Sequence, residues 1–158
     1  MKKVSLFLLS FVFLAATSGW GLEKGPAGPG PKTKCPVCGM FVAKYTDFLA
    51  KVTFKDSSSD YFDGSKDMFR YLLNLKKYSP RKEQADIGNL QVTDYYSLTL
   101  IDGLKAFYVF GSDVYGPMGK ELIPFEKEAE ARAFMKDHQG KRVLRFQEVS
   151  NTLLGSLD

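Results

Sequence analysis

The spacing of apolar residues changes period along the chain, and this change constrains the fold more than any other feature. Phe48, Ala50, Val52 and Phe54 alternate with Leu49, Lys51 and Thr53, a period of two that predicts a half-buried strand. Asp56-Ser57-Ser58-Ser59-Asp60 is a turn, and Tyr61-Phe62 opens a short second strand. Gly64-Ser65 then offers an N-cap to a helix with Met68, Phe69, Leu72, Leu73 and Leu75 at helical spacing. Tyr78 to Leu90 is polar, holds Pro80 and Gly88, and is expected to be a long connection. Tyr95–Leu100 and Ala106–Phe110 flank Asp102-Gly103, a strong hairpin signal. Gly111 to Gly119 is a glycine-rich loop around Pro117 and Met118. A second helix is expected from about Glu126 to Gln139, with Ala131, Phe134, Met135 and His138 on one stripe and Gly140 as its C-cap. Val143 to Phe146 makes a final strand. The order gives an α+β class built from two ββα-type halves, about 34–90 and 91–149, with no evident sequence repeat between them.

The ends of the chain have a different character. Met1-Lys2-Lys3 is followed by a thirteen-residue apolar stretch, Val4 to Ala16, broken only by Ser5 and Ser10, and then by small residues. This is the layout of a secretory signal, expected over residues 1–21, and the stretch is short for a stable membrane span. Gly25, Gly28 and Gly30 alternate with Pro26, Pro29 and Pro31, so residues 22–33 are expected to be a flexible tether. The folded part is then 34–149, and the polar residues 150–158 form a tail expected to fray. An apolar share of 44% with 25% charged residues excludes wholesale disorder. Net charge is +4, and setting Lys2 and Lys3 aside leaves 20 basic against 18 acidic residues. That balance gives no reason for a nucleic-acid partner. The single histidine excludes a site built from several histidines of one chain.

Both cysteines lie in Cys35-Pro36-Val37-Cys38-Gly39-Met40, where tether meets fold. Pro36 restricts the backbone between the thiols, and Gly39 can take a positive φ that turns the chain back. Two thiolates and a thioether are soft donors of the kind that favour Cu(I) over hard cations. The residues leave other chemistries open. An exported CxxC can oxidise or exchange disulfides, although this one does not head a helix in a βαβ unit. Structural zinc normally takes four N or S ligands, and this chain offers two Cys and one His. Zinc is therefore expected to bind weakly, because a single chain cannot assemble four suitable ligands without carboxylates or water. Met118, between glycine and proline in a loop, can either plug the core or swing over a metal. His138 near a helix C-terminus suits the helix dipole better than a ligand role. Met68 and Met135 are at core spacing. Asp60, Asp63 and Asp67 surround a turn and cap without a paired-carboxylate pattern. No nucleophile elbow, phosphate loop or dinucleotide fingerprint occurs, so no catalytic residue is assigned.

Taken together, Cys35-Pro-Val-Cys38-Gly39-Met40, Tyr61-Phe62-Asp63-Gly64 before a helix, and Gly116-Pro117-Met118-Gly119 before another resemble the NosL family over roughly Lys34 to Glu148. The resemblance implies two ββα-type halves related in fold to the organomercurial lyase. It also implies an exported, non-enzymatic Cu(I)-binding accessory protein of nitrous oxide reductase maturation, with that apo-enzyme and a membrane transporter assembly as partners and no small-molecule substrate. Position by position it implies Cys35, Cys38, Met40 and Met118 as copper ligands. Many NosL proteins carry a lipoprotein cysteine at the signal cleavage site. This chain has none there, so a periplasmic protein, free or held by its N-terminal segment, is expected.

Overall fold

The computed structural model describes residues 28–158. The expected signal at 1–21 and tether residues 22–27 lie outside the described residues. Among these described residues, seven strands and four α-helices follow in the order β1 (Ala50–Phe54), β2 (Ser59–Phe62), α1 (Ser65–Leu73), α2 (Leu75–Tyr78), β3 (Ile87–Thr93), β4 (Leu100–Asp102), β5 (Phe107–Gly116), β6 (Gly119–Phe125), α3 (Glu128–Asp137), β7 (Arg142–Arg145) and α4 (Asn151–Gly155). They build two antiparallel sheets, ordered β2-β1-β3-β4 and β6-β5-β7. The α+β class with two halves is borne out. Each half is a hairpin, a helix and a returning strand that pairs with the hairpin's first strand, so β3 lies beside β1 and β7 beside β5.

Several boundaries differ from expectation. The expected division at 90/91 cuts through β3, whose pairing runs from Ala50↔Val92 to Phe54↔Ile87, so the halves divide after β4. The Asp102-Gly103 turn has the right chemistry, since Asp102 Oδ1 accepts the Leu104 N–H at 2.9 Å. It joins no hairpin, because β4 pairs with β3 and β5 belongs to the other sheet. Gly103 instead hands the chain between sheets, its N–H on Leu90 O at 2.8 Å and its carbonyl accepting the Tyr108 hydroxyl at 2.6 Å. The glycine-rich segment 111–119 is also mostly strand. β5 runs on to Gly116, turns through Pro117-Met118, and returns as β6 from Gly119 at φ +82°.

The tail at 150–158 does not fray. Ser150 Oγ caps α4, and Leu154 and Leu157 are buried in the main core. Asn151 Oδ1 accepts from Asn74 Nδ2 at 2.9 Å and Asp158 pairs with Arg70, tying this segment to α1. Order also reaches into the expected tether, where Thr33 N–H closes a turn on Gly30 O at 2.9 Å and Val42 N–H donates to Thr33 O.

Period two explains the packing. Along β5, Tyr108 faces a large core shared with α1, α4 and the first sheet, whereas Val109 faces a smaller cluster with Ile123, Phe125 and Ala131 and Phe134 of α3. The second sheet is therefore covered on both faces. Its edge strand β6 is buried from Glu121 to Phe125 and tolerates Pro124, because an edge strand has one side free of the ladder. No helix among the described residues is long and apolar enough to cross a membrane.

Candidate metal centre

The CxxC segment is held as a closed loop. Lys34 and Phe41 form an antiparallel bridge at its base, Cys35 N–H donates to Met40 O at 2.9 Å, and Gly39 N–H donates to Cys35 O at 2.9 Å. The tight return needs a left-handed residue, and Gly39 supplies it at φ +79°. The loop also aims backbone N–H groups at sulfur: those of Cys38 and Val37 at Cys35 Sγ, and that of Met40 at Cys38 Sγ.

Facing the thiols are two carboxylates. Asp63 follows β2 directly, and Asp67 lies in the first turn of α1, four residues on. Cys38 Sγ donates to Asp63 Oδ1 at 3.1 Å and Cys35 Sγ to Asp67 Oδ2 at 3.4 Å. One donor atom from each of the four residues lies within 4.8 Å of every other. Cys35, Asp63 and Asp67 are only 2%, 1% and 2% exposed, and Cys38 is half-buried. Asp63 Oδ2 is buried with no hydrogen-bond partner, an arrangement that costs free energy unless something else binds there. Arg70 Nη1 sits 3.4 Å from Asp67 Oδ1.

Burial decides the protonation of the thiols. Desolvation pushes Cys35 up to about 12, against the opposing N–H groups of Cys38 and Val37, and Asp63 adds to the rise. Cys38 is raised as well, again chiefly by burial, with Asp63, Asp67 and Cys35 reinforcing it against the Met40 N–H. Both thiols are therefore S–H donors to carboxylates at neutral pH, and a metal must displace those protons.

The β5–β6 hairpin rests on the same helix end. Lys66, buried in α1, donates from Nζ to Met118 O at 2.9 Å, which sets the hairpin tip against the turn that carries Asp67. Glu121 of β6 accepts the Lys66 N–H at 2.5 Å and the Leu122 N–H at 2.8 Å. Burial pushes its carboxyl up to about 8, against those two N–H groups and the Lys66 charge. Gly64 is required beneath it, since a Cβ there would lie 2.0 Å from Glu121 Oε2.

Of the sequence-derived candidates, Cys35 and Cys38 converge, and Met40 forms the base of their loop. Met118 stands at the hairpin tip, 41% exposed. His138 is elsewhere: it caps α3 on the outer face of the second sheet, stacked on Phe134 at 4.2 Å with Nδ1 3.2 Å from Asp113. Asp63 and Asp67 are the residues that sequence reasoning passed over. The available signal was their four-residue spacing at a helix start. Two buried carboxylates stand beside the thiols, so counting Cys and His alone understates the donor atoms gathered here.

The model of the NosL family matches residues 26–154. The chain belongs to the NosL family. A copper-binding lipoprotein NosL from Stutzerimonas stutzeri is 46% identical over 55 residues, 35% of this chain and 28% of that protein. The chain thus spans under a third of this curated relative. The crystal structure of the copper chaperone NosL from Shewanella denitrificans matches with a TM-score of 0.66 at 23% identity, over 82% of this chain and 98% of that one, a likeness of fold. The solution structure of apo-NosL from Achromobacter cycloclastes has a TM-score of 0.46 at 26% identity, over 66% of this chain and 87% of that one.

Proposed function

We propose that this NosL chain is an exported, non-enzymatic Cu(I) carrier that hands copper to a copper-receiving apo-enzyme outside the cytoplasm. The convergence of Cys35 and Cys38 within one cluster of potential ligand atoms carries the reading. Paired thiolates bind soft Cu(I) strongly, and the thioethers of Met40 and Met118 add neutral, soft donors that an incoming protein can displace. Transfer is then a ligand exchange, with no change in the metal's oxidation state and no covalent step. The chemistry fits the copper described for its relatives. Family membership supports nitrous oxide reductase as the client, with a membrane maturation transporter as a second partner, and the basic-apolar-small N-terminus supports periplasmic delivery.

The rival use of a CxxC, thiol–disulfide exchange, is disfavoured by the thiols themselves. An exchange thiol works as a thiolate near ambient pH, whereas burial here drives both the other way.

A Cu(I) competition titration tests the reading. Cys35→Ser and Cys38→Ser are each expected to lose nearly all Cu(I) binding, and a Cys variant that holds copper as well as the parent overturns the site. Met118→Leu keeps volume and apolarity, so its apo form should lose less than about 1.5 kcal/mol of stability. Its Cu(I) retention should fall well beyond that if the thioether closes the site, and normal retention removes Met118 from the ligand set.

A further inference from the structure

In the second half of the fold, away from the thiols, a buried hydroxyl is left without a partner. Ser112 of β5 is 7% exposed, and its Oγ is buried with no hydrogen bond. A buried donor in that state costs free energy and calls for something to bind it. Ser112 lines a cavity of about 230 Å³. That is below the roughly 300–1,000 Å³ of sites for drug-sized ligands, and it has room for one small ion with several waters. We infer that this cavity binds a small tetrahedral oxyanion, with inorganic phosphate as its type.

The backbone builds the cavity. β5 pairs with β6 at Phe110↔Leu122 and again at Tyr115↔Lys120, so the four residues Gly111 to Val114 stand opposite Glu121 alone. A bulge of this kind breaks the ladder and re-aims side chains, and bulges are over-represented beside functional sites. Gly111 takes φ +76°, and its missing side chain lets Lys141 lie across the bulge: a Cβ there would be 2.9 Å from Lys141 Cδ. The bulge is anchored on its other side, where Lys141 N–H donates to Phe110 O at 2.8 Å and Asp113 N–H to His138 O at 3.0 Å. Lys120 of β6 and Gln139, just after α3, complete the polar wall, and Ser156 and Leu157 close it from the end of α4.

The donor set fixes the sign of the ligand. Lys120 and Lys141 line the cavity and make no salt bridge among the described residues. Ser112 supplies a hydroxyl that turns about χ1, and Gln139 Nε2 spends one of its two N–H groups on Asp113 Oδ2 at 3.2 Å. Asp113 is the lining carboxylate, and both of its oxygens are engaged elsewhere: Oδ1 is 3.2 Å from His138 Nδ1, and Oδ2 takes the Gln139 amide. The cavity therefore offers two ammonium groups, a hydroxyl and an amide N–H. An oxyanion accepts from several directions at once and gains charge-assisted bonds from lysine, which binds phosphate as a point charge. A metal cation would meet two like charges, and an apolar ligand would leave the Ser112 hydroxyl unpaired. Bound there, the ion bridges β5, β6, the α3–β7 turn and the end of α4, so it stabilises the fold by mass action.

The test uses the intact protein in buffer free of phosphate and sulfate, titrated with inorganic phosphate while chloride holds the ionic strength constant. Amide chemical shifts should follow a one-site isotherm, with the largest changes at Gly111, Ser112 and Lys141, and the melting temperature should rise with the logarithm of phosphate concentration. A hydrogen bond to a charged group is worth about tenfold or more, so Ser112→Ala and Lys141→Met should each weaken phosphate binding by at least about tenfold. Lys136, an exposed lysine of α3, does not line the cavity, and Lys136→Met should change the affinity by less than about twofold. Without phosphate, Ser112→Ala should melt at or above the temperature of the parent, because it removes an unpaired buried hydroxyl. Shifts that never saturate, an equal response to chloride, or parent-like phosphate affinity in Ser112→Ala overturns the inference. A Ser112→Ala variant that melts below the parent in phosphate-free buffer overturns it as well, since the hydroxyl then already has a partner.

Discussion

Gly64→Ala places a methyl group where the structure leaves no room. The φ of −171° at Gly64 is extended backbone that any residue adopts, so strain in the main chain is not at issue. The obstacle is Glu121: a Cβ at position 64 would lie 2.0 Å from Oε2 and 2.9 Å from Cδ. The carboxyl must move, and it is walled in on the other side by Gly116, whose own Cβ would meet Glu121 Cγ at 3.1 Å. Moving it breaks the contacts to the Lys66 and Leu122 N–H groups, both buried. Each N–H left unpaired costs about 1–3 kcal/mol, and forced overpacking adds about 1–3 kcal/mol. The expected loss is about 3–9 kcal/mol, a large part of the roughly 5–15 kcal/mol by which a domain is stable. Urea unfolding followed by circular dichroism measures it, with Glu121→Ala as the second arm of a double-mutant cycle. On the Glu121→Ala background the methyl group has space, so adding Gly64→Ala should cost under about 1 kcal/mol. A loss below about 1 kcal/mol in the parent protein, or the same loss on both backgrounds, refutes the packing argument.

Glu121 also gives a pH signature. Its folded pKa is raised from 4.5 to about 8, so its contribution to stability is complete below about 4.5 and is lost as pH rises through about 8. The difference in unfolding free energy between the parent and Glu121→Gln, whose amide oxygen can still accept both N–H groups, should therefore shift in favour of the variant across that window; a flat difference counts against the burial argument. At the other end of the chain, Leu154→Ala should cost about 2–5 kcal/mol in thermal or urea unfolding, because Leu154 is buried against the main core, whereas a fraying tail would lose almost nothing.

The parts legible in the sequence were those governed by local rules. β1, α1 and α3 follow from period two and helical spacing, because their apolar residues meet a core at those spacings. β6 was hidden since burial on both faces removes its alternation, and its Lys120, Glu121 and Pro124 look like a loop. Glu121 is tolerated only through its contacts with α1, which are 55 residues away in sequence. β3 was displaced because Gly88 and Asn89, in its first half, are turn residues by composition; their place in the ladder is set by β1. The tail differs for the same reason: Leu154 and Leu157 are buried in a core that α1 and other distant elements supply. At the site, Cys35 and Cys38 were visible as a motif, whereas Asp63 and Asp67 join them only through the way β2 leads into α1.

The protonated thiols lead to a last prediction, on how copper uptake depends on pH. At neutral pH both S–H groups are hydrogen-bonded to carboxylates, and burial holds them protonated. Cu(I) binds thiolate, so loading releases up to two protons, and apparent affinity should rise with pH by as much as about tenfold per unit for each proton released. The sign follows from the raised pKa values: below about 12 the apo form holds the Cys35 proton that the metal must displace, so acid favours release and base favours retention. The same proton makes Cys35 and Cys38 poor nucleophiles, and slow alkylation of the apo protein at pH 7 is expected to accompany the effect. Cu(I) competition between pH 6 and 9, corrected for the pH dependence of the chelator, measures the slope, and iodoacetamide labelling measures the reactivity. A flat affinity profile together with fast alkylation would mean that the thiols are already ionised in the apo protein. That result would remove the present objection to a thiol–disulfide exchange role for the same two cysteines.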